Sequence, residues 1–162
     1  MGAGPIGLCV IQALKAHSVS TIIVADTNSA RAATAKQAGA THFLNPASEN
    51  VAEACAKYAP DSKGVQVAFD TAGKQVTLDT SIAALAIGGT VVNIAIWGGE
   101  AKFMPNAFVM TEKRYTGSAI YTRDDFDEVI RAVGAGESVL PCQHSQDLSS
   151  CTRFRRACFD TP

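Results

Sequence analysis

Apolar positions along this chain follow two periods that take turns. Leu8, Cys9, Val10, Ile11, Ala13 and Leu14 recur at helical density until Ser18-Val19-Ser20 breaks the pattern. Thr21-Ile22-Ile23-Val24-Ala25 is then β-branched and apolar on both faces, which predicts a buried parallel strand ending at Asp26. The alternation continues. Ser29 to Ala38 is Ala-rich and predicts a helix closed by Gly39. Thr41–Leu44 predicts a short strand stopped by Asn45-Pro46, and Glu49 to Tyr58 a helix ended by Pro60. Val65–Asp70 predicts a strand, Gln75–Leu85 a helix ended by Gly88-Gly89, and Thr90–Ile96 another strand. Arg114–Gly117 follows as a short strand, and Arg123–Val133 as an acidic-then-apolar helix closed by Gly134. Strands and helices in strict turn predict a parallel sheet with helices on both faces.

The chain opens on chemistry. Gly2-Ala3-Gly4-Pro5-Ile6-Gly7 is a G-x-G-x-x-G loop directly ahead of the first helical run. Alone this motif is weak evidence, but helix, strand and terminal acid follow it at the spacing of a dinucleotide site. Gly2 allows the tight turn. Gly4 lets the backbone approach a pyrophosphate, and Gly7 lets the helix pack close to the sheet. Pro5 costs nothing in the first helical turn, and the uncapped N–H groups near Ile6 face an anion. Asp26 lies roughly 20 residues beyond the glycines, where a carboxylate accepts hydrogen bonds from the adenosine ribose hydroxyls. It repels a 2′-phosphate, and Thr27-Asn28-Ser29 offers no Arg, so NAD is favoured over NADP. Arg31 either reaches the adenosine or is a surface helix residue.

Composition narrows the partners. The 162 residues suffice for one domain with a core. A net charge of −1 with pI near 6.3 gives no electrostatic case for nucleic acid or an anionic membrane. No apolar stretch has transmembrane length, and no basic segment followed by an apolar one opens the chain. The expectation is a cytoplasmic protein with reduced thiols.

From Gly2 to Gly134 the sequence resembles the cofactor domain of the medium-chain dehydrogenase/reductase family, near its zinc-dependent polyol and butanediol dehydrogenases. The resemblance is carried by Gly-Ala-Gly-Pro-Ile-Gly-Leu at 2–8, Asp26 with Arg31, Ala38-Gly39-Ala40 before Asn45-Pro46, Val67–Gly73, Gly88–Val92 and Gly117-Ser118. It implies a Rossmann-like doubly wound α/β fold and an NAD-dependent oxidoreductase moving hydride between nicotinamide and a secondary alcohol or diol. It implies Asp26 and Arg31 at the adenosine. Thr71, the Ile94–Ile96 stretch and Ser118–Ile120 fall near the nicotinamide half. Pairing into a homodimer through the edge strand at Arg114–Gly117 is also implied.

Family members begin with a catalytic domain that supplies zinc and the proton relay, and its residues have no counterpart in this sequence. No catalytic residue and no metal ligand is therefore assigned. The first strand of the fold would precede Gly2. In the expected order 3-2-1-4-5-6, counting that strand as the first, only Met1 stands in its place, which predicts exposed ladders, self-association and marginal stability. The alternative reading is a truncated, inactive dinucleotide-binding module, or a shortened family member in a non-redox role. The expected organisation is residues 1–136 as an incomplete NAD(P)-binding domain and 137–162 as a divergent polar tail. In the tail Cys142, His144, Cys151 and Cys158 match no structural zinc spacing. His17 and His42 lack partners at catalytic spacing. Cys9 and Cys55 read as small core residues. Trp97 either walls the nicotinamide pocket or plugs a loop. Asp124, Asp125, Asp127 and Glu128 read as acids complementing a helix dipole.

Overall fold

The computed structural model describes residues 1–59, 61 and 63–135. Helix α1 (Pro5–Ala16) leads to strand β1 (Ile23–Ala25), a 3-10 turn (Ser29–Arg31), α2 (Ala32–Ala38) and β2 (His42–Leu44). Then come α3 (Val51–Tyr58), β3 (Val65–Asp70), α4 (Gln75–Ala84), β4 (Leu85–Asn93), α5 (Asn106–Val109), β5 (Arg114–Gly117) and α6 (Arg123–Gly134). Every strand pair is parallel: β1 with β2, β3 with β4, β4 with β5. This is the α/β, Rossmann-like arrangement expected from the alternating pattern.

Local chemistry fixes the helix ends. Pro5 stands in the first turn of α1. The Asn50 side chain accepts from the backbone N–H groups of Ala52 and Glu53 at the start of α3. Thr122 and Asp125 form a reciprocal capping box on α6, so the acidic cluster begins as helix-start chemistry, as expected. The core lies in three clusters. Ala3, Leu8, Ile11, Ile22, Val24, Ala35 and Ala40 pack α1 and α2 on β1. Ala25, Leu44, Val51, Cys55 and Ala84 join β1 and β2 to α3 and α4. Leu78, Leu85 and Val91 hold α4 to β4, with Trp97 packed against them.

The sheet is split. β1–β2 form one piece and β3–β4–β5 the other. Met1 and Gly2 stand between them. The Met1 α-amine donates to Phe69 O at 2.6 Å. Met1 O accepts from Thr71 N at 3.1 Å and from Thr71 Oγ1 at 2.8 Å. Gly2 N donates to Ala25 O at 2.8 Å. Met1 thus holds the central position expected of it, and Gly2 shares the task. Between the two pieces lies a cleft of about 350 Å³, lined by Met1, Ile11, Ile23, Val24, Val65 and Phe69 among others. Val67 in β3 is 46% exposed beside it.

Five expectations need correction. The helix expected through Leu85 ends at Ala84, and Leu85 already pairs with Val65. Gly88-Gly89, expected to stop that helix, lies inside β4, where the register shifts between Val65 and Val67. Gly88 adopts φ +74° there, open to glycine at no steric cost. Consequently Ile94–Ile96 lie past the strand rather than in it. Gly134 lies within α6 rather than after it. Cys9 is exposed, whereas Cys55 is buried as expected.

Candidate nucleotide-binding loop

The glycine loop is built on the seam between the half-sheets. Gly2 has φ +94°, and a Cβ there would stand 2.9 Å from Thr71 Oγ1. Gly7 is buried, and a Cβ on it would lie 2.1 Å from Gly2 O, so the first turn of α1 closes on the loop only with glycine. A Cβ on Gly4 meets nothing within 4 Å. The surface over Gly4 is open, and Gly4 is the N-cap of α1 with no side-chain cap. The first acceptor bond of the helix is Leu8 N to Gly4 O at 2.9 Å. By position, the Ile6 and Gly7 N–H groups therefore lack intrahelical partners. Ile6 is 54% exposed. No acid stands in the first turn, so the positive end of the helix dipole is unneutralised by its own side chains.

Asp26 locks this loop to β1. Its Oδ2 accepts from Ala3 N at 2.8 Å and from Arg31 Nη1 at 3.0 Å. Its Oδ1 accepts from Asn28 N at 2.8 Å. Burial pushes the Asp26 pKa up, but the Ala3 and Asn28 amides and the Arg31 guanidinium together outweigh burial and hold it below the ordinary carboxylate value. The carboxylate is charged and aimed beside the open loop. Three of its roughly four lone-pair sites are taken, so a diol reaching it must share with Arg31. Arg31 is thereby placed next to Asp26, which settles its position as adjacent to the loop. Asn28 was missed from the sequence, and the cue was its polar cluster with Thr27: its side chain also caps the 3-10 turn by accepting from Ala30 N at 3.1 Å.

The remaining sequence candidates lie across the seam, on the β3–β5 piece. Thr71 touches the loop directly through its bonds to Met1 O. Ile94 N donates to Asp70 O at 2.9 Å, which puts the chain after β4 beside the end of β3. Ile96 is 98% exposed. Ser118 N donates to Asn93 O at 2.9 Å, and Ser118 is exposed. Asn93, also missed, organises this corner. Its Oδ1 accepts from Trp97 Nε1 at 3.0 Å, and its Nδ2 donates to Ala95 O at 2.9 Å. Trp97 rests on the Leu78 cluster. Asp70 is fully buried and braces the turn after β3, accepting from Ala72 N, Gly73 N and Thr77 Oγ1.

The other chemically capable side chains stand apart. His17 caps α1 and lies 3.7 Å from Glu128. His42 stacks on Tyr58 with ring centroids 3.9 Å apart. Among the described residues no three His, Cys, Asp or Glu side chains come together as metal ligands. The family's zinc therefore does not fit the described part of this chain, and no chemical step is routed through it. The Cys142, His144, Cys151 and Cys158 set lies outside the described residues. No helix among the described residues is long and apolar enough to cross a membrane.

The family model for zinc-binding dehydrogenases matches residues 5–135. The chain belongs to that family, and the matched part is its cofactor-binding domain. A (R,R)-butanediol dehydrogenase of Saccharomyces cerevisiae is 39% identical over 152 residues, covering 86% of this chain and 37% of that protein. The crystal structure of 2R,3R-butanediol dehydrogenase from Bacillus subtilis superposes with a TM-score of 0.75 at 34% identity, over 83% of this chain and 38% of that one. A zinc-binding dehydrogenase of Sinorhizobium meliloti 1021, bound to NADP, superposes with a TM-score of 0.77 at 26% identity, over 85% and 41% of the two chains. The chain thus spans less than half the length of these relatives.

Proposed function

We propose that residues 1–136 bind a nicotinamide dinucleotide across the seam, in an oxidoreductase that exchanges hydride with a secondary alcohol or diol. Gly2, Gly4, Pro5, Ile6 and Gly7 cradle the pyrophosphate at the uncapped start of α1. Asp26 takes the adenosine ribose hydroxyls, with Arg31 alongside. Thr71, Ile94, Ile96 and Ser118 border the nicotinamide half. The observation that carries this reading is the Asp26 carboxylate, held charged by two amides and an arginine within one turn of an open, uncapped helix start. When bound, nicotinamide supplies the carbon that accepts or gives hydride. The chain's own residues orient it: amides and dipole fix the phosphates, and Asp26 fixes the ribose.

NAD is favoured over NADP. A 2′-phosphate would meet the Asp26 charge, and Arg31 is already engaged with that carboxylate. A relative is bound to NADP, so family membership alone does not fix the choice and the preference rests on Asp26 in this chain. Titration by nicotinamide fluorescence tests it. NADH should bind more tightly than NADPH, and Asp26→Ala should weaken NADH by about 1–3 kcal/mol through lost hydrogen bonds to a charged group. Equal affinity for both dinucleotides would remove the role given to Asp26. Alcohol or diol oxidation by this chain alone is not expected, because no catalytic or metal-ligating residue is assigned within it; NADH formation above mock-purified controls would overturn that.

A further inference from the structure

One side chain holds the segment after β4 by two bonds. Gln75, the first residue of α4, accepts from Lys102 N through Oε1 at 2.9 Å. It donates to Lys102 O through Nε2 at 2.6 Å. The amide thus exchanges both bonds with a single backbone residue, as a neighbouring strand would. Asp79, one turn further along α4, accepts from Gln75 Nε2 at 2.8 Å. Both protons of the amide nitrogen are therefore used, and the amide oxygen is left to face Lys102 N.

The segment from Ile94 to Lys102 is pinned at both ends and bare in the middle. At its start Ile94 N and Ala95 N donate to Asp70 O at 2.9 and 3.2 Å. Trp97 donates to Asn93 Oδ1 and packs on the Leu78 cluster. Gly73, in the turn after β3, lies against this start: a Cβ on it would stand 3.0 Å from Ala95 Cβ. At the far end the anchor is Gln75. Between the anchors Gly98 and Gly99 are exposed, and a Cβ on either meets nothing within 4 Å. Gln75 and Leu78 both belong to α4, so the segment is a strap laid over the start of that helix. It carries Ile94 and Ile96, and the turn it lies against begins at Thr71.

We propose that Gln75 is a positioning residue for the nicotinamide half of the dinucleotide, acting through this strap. The inference rests on the dinucleotide reading above. Ordering a glycine-containing loop costs conformational entropy. Binding must meet that cost unless the loop is already fixed. The bonds from Gln75 fix it in advance, so Ile94 and Ile96 stand ready at the nicotinamide ring. Without them the strap is held only at its Trp97 end, and ordering it falls to the dinucleotide. The adenosine end depends on Asp26 and the start of α1, which are joined to the other piece of the sheet and not to the strap.

The test uses the full chain. Gln75→Ala removes all three bonds, and Gln75→Glu keeps the acceptor while setting a carboxylate against Lys102 O and Asp79. Amide exchange at Lys102 should quicken about tenfold in both variants and stay unchanged at Asp26, whose amide bonds to Leu44. Calorimetry should show NADH weakened about fivefold, while ADP-ribose, which lacks the nicotinamide, binds as it does to the parent. Retained ADP-ribose binding also reports an intact fold in the same sample. NADH affinity unchanged in both variants overturns the proposal. So does equal weakening of NADH and ADP-ribose, which would make Gln75 a residue of general stability. Unaltered exchange at Lys102 overturns it as well, because other bonds would then hold the strap. A parent chain that binds neither NADH nor ADP-ribose overturns the dinucleotide reading itself, and this proposal with it.

Discussion

The two pieces of the sheet are finished to different degrees. The β1–β2 piece carries the glycine loop and Asp26, and its strands are buried under α1 and α2. Its polar groups are matched: Asp26 has three partners, and Thr41 Oγ1 bonds both ways with Ile22. The β3–β5 piece has the longer ladders, yet all four residues of β5 are exposed and α6 buries none. Ile96, Ile120 and Tyr121 stand 98%, 93% and 76% exposed at its upper edge. The dinucleotide is therefore expected to find a shaped, charged surface at its adenosine end and an open apolar one at its nicotinamide end. Affinity should follow that difference. ADP-ribose is expected to bind within about tenfold of NADH, and nicotinamide mononucleotide far more weakly.

The largest effect is expected from damage to the finished piece at its tightest point. Gly7→Ala drives a Cβ to 2.1 Å from Gly2 O, a backbone atom that has no room to yield. It is expected to destabilise the fold by about 1–3 kcal/mol and to abolish dinucleotide binding. Gly4→Ala separates the two effects. Its Cβ meets nothing, so the melting curve should barely move while binding falls, because the methyl occupies the approach to the phosphates. A Gly4→Ala protein that binds NADH like the parent would show that the phosphates lie elsewhere.

Core and surface substitutions sharpen the contrast next. Leu8→Ala empties a fully buried site and should cost about 2–5 kcal/mol by denaturant titration. Phe126→Ser on α6, where Phe126 is 51% exposed, should change stability by no more than about 0.5 kcal/mol. A large loss at Phe126 would mean that α6 is covered in solution, for instance by a second copy.

Acidity gives a smaller effect. The folded pKa of Asp26 is depressed, so its contribution is present above the unfolded value of about 3.9 and is lost as pH falls through the folded value. The Met1 amine runs the other way. Burial lowers its pKa from the ordinary 8.0, against the attraction of Asp70, Cys55 and Asp26. Below 8.0 the unfolded chain holds that proton more firmly, so stability should rise as pH climbs toward 8 and level off above it. Denaturation midpoints across neutral pH check this, and acetylating Met1 should flatten the slope.

Much of this is legible in the sequence. Val65–Asp70 and Arg114–Gly117 have the strand limits their patterns predict, and Asp26 ends its strand beside the loop as the motif spacing implies. The boundary at Leu85 was not legible. Leu85-Ala86-Ile87 is an apolar run that suits a helix or a buried strand equally, and pairing with Val65 decides it. Gly88-Gly89 then reads as a stop in sequence, although its use is an irregularity inside the ladder. Asn28 and Asn93 were invisible for another reason. Their roles are hydrogen bonds to groups two to four residues away, or to Ser118 across strands, and such bonds leave no periodic trace. The exposure of Cys9 leaves no mark in the sequence, because helical periodicity fixes which residues share a face but not where a face ends.

The dinucleotide is expected to lie over the start of α1 with its ribose at Asp26. Amide chemical shifts of the isotopically labelled full chain, recorded as NADH is added, test it most directly. Gly4, Ile6, Gly7 and Asn28 should shift together and saturate with one affinity, and the same addition to the Asp26→Ala protein should shift the loop amides only at higher NADH. Saturable shifts confined to other parts of the chain, with the loop and Asn28 unmoved, would contradict the account.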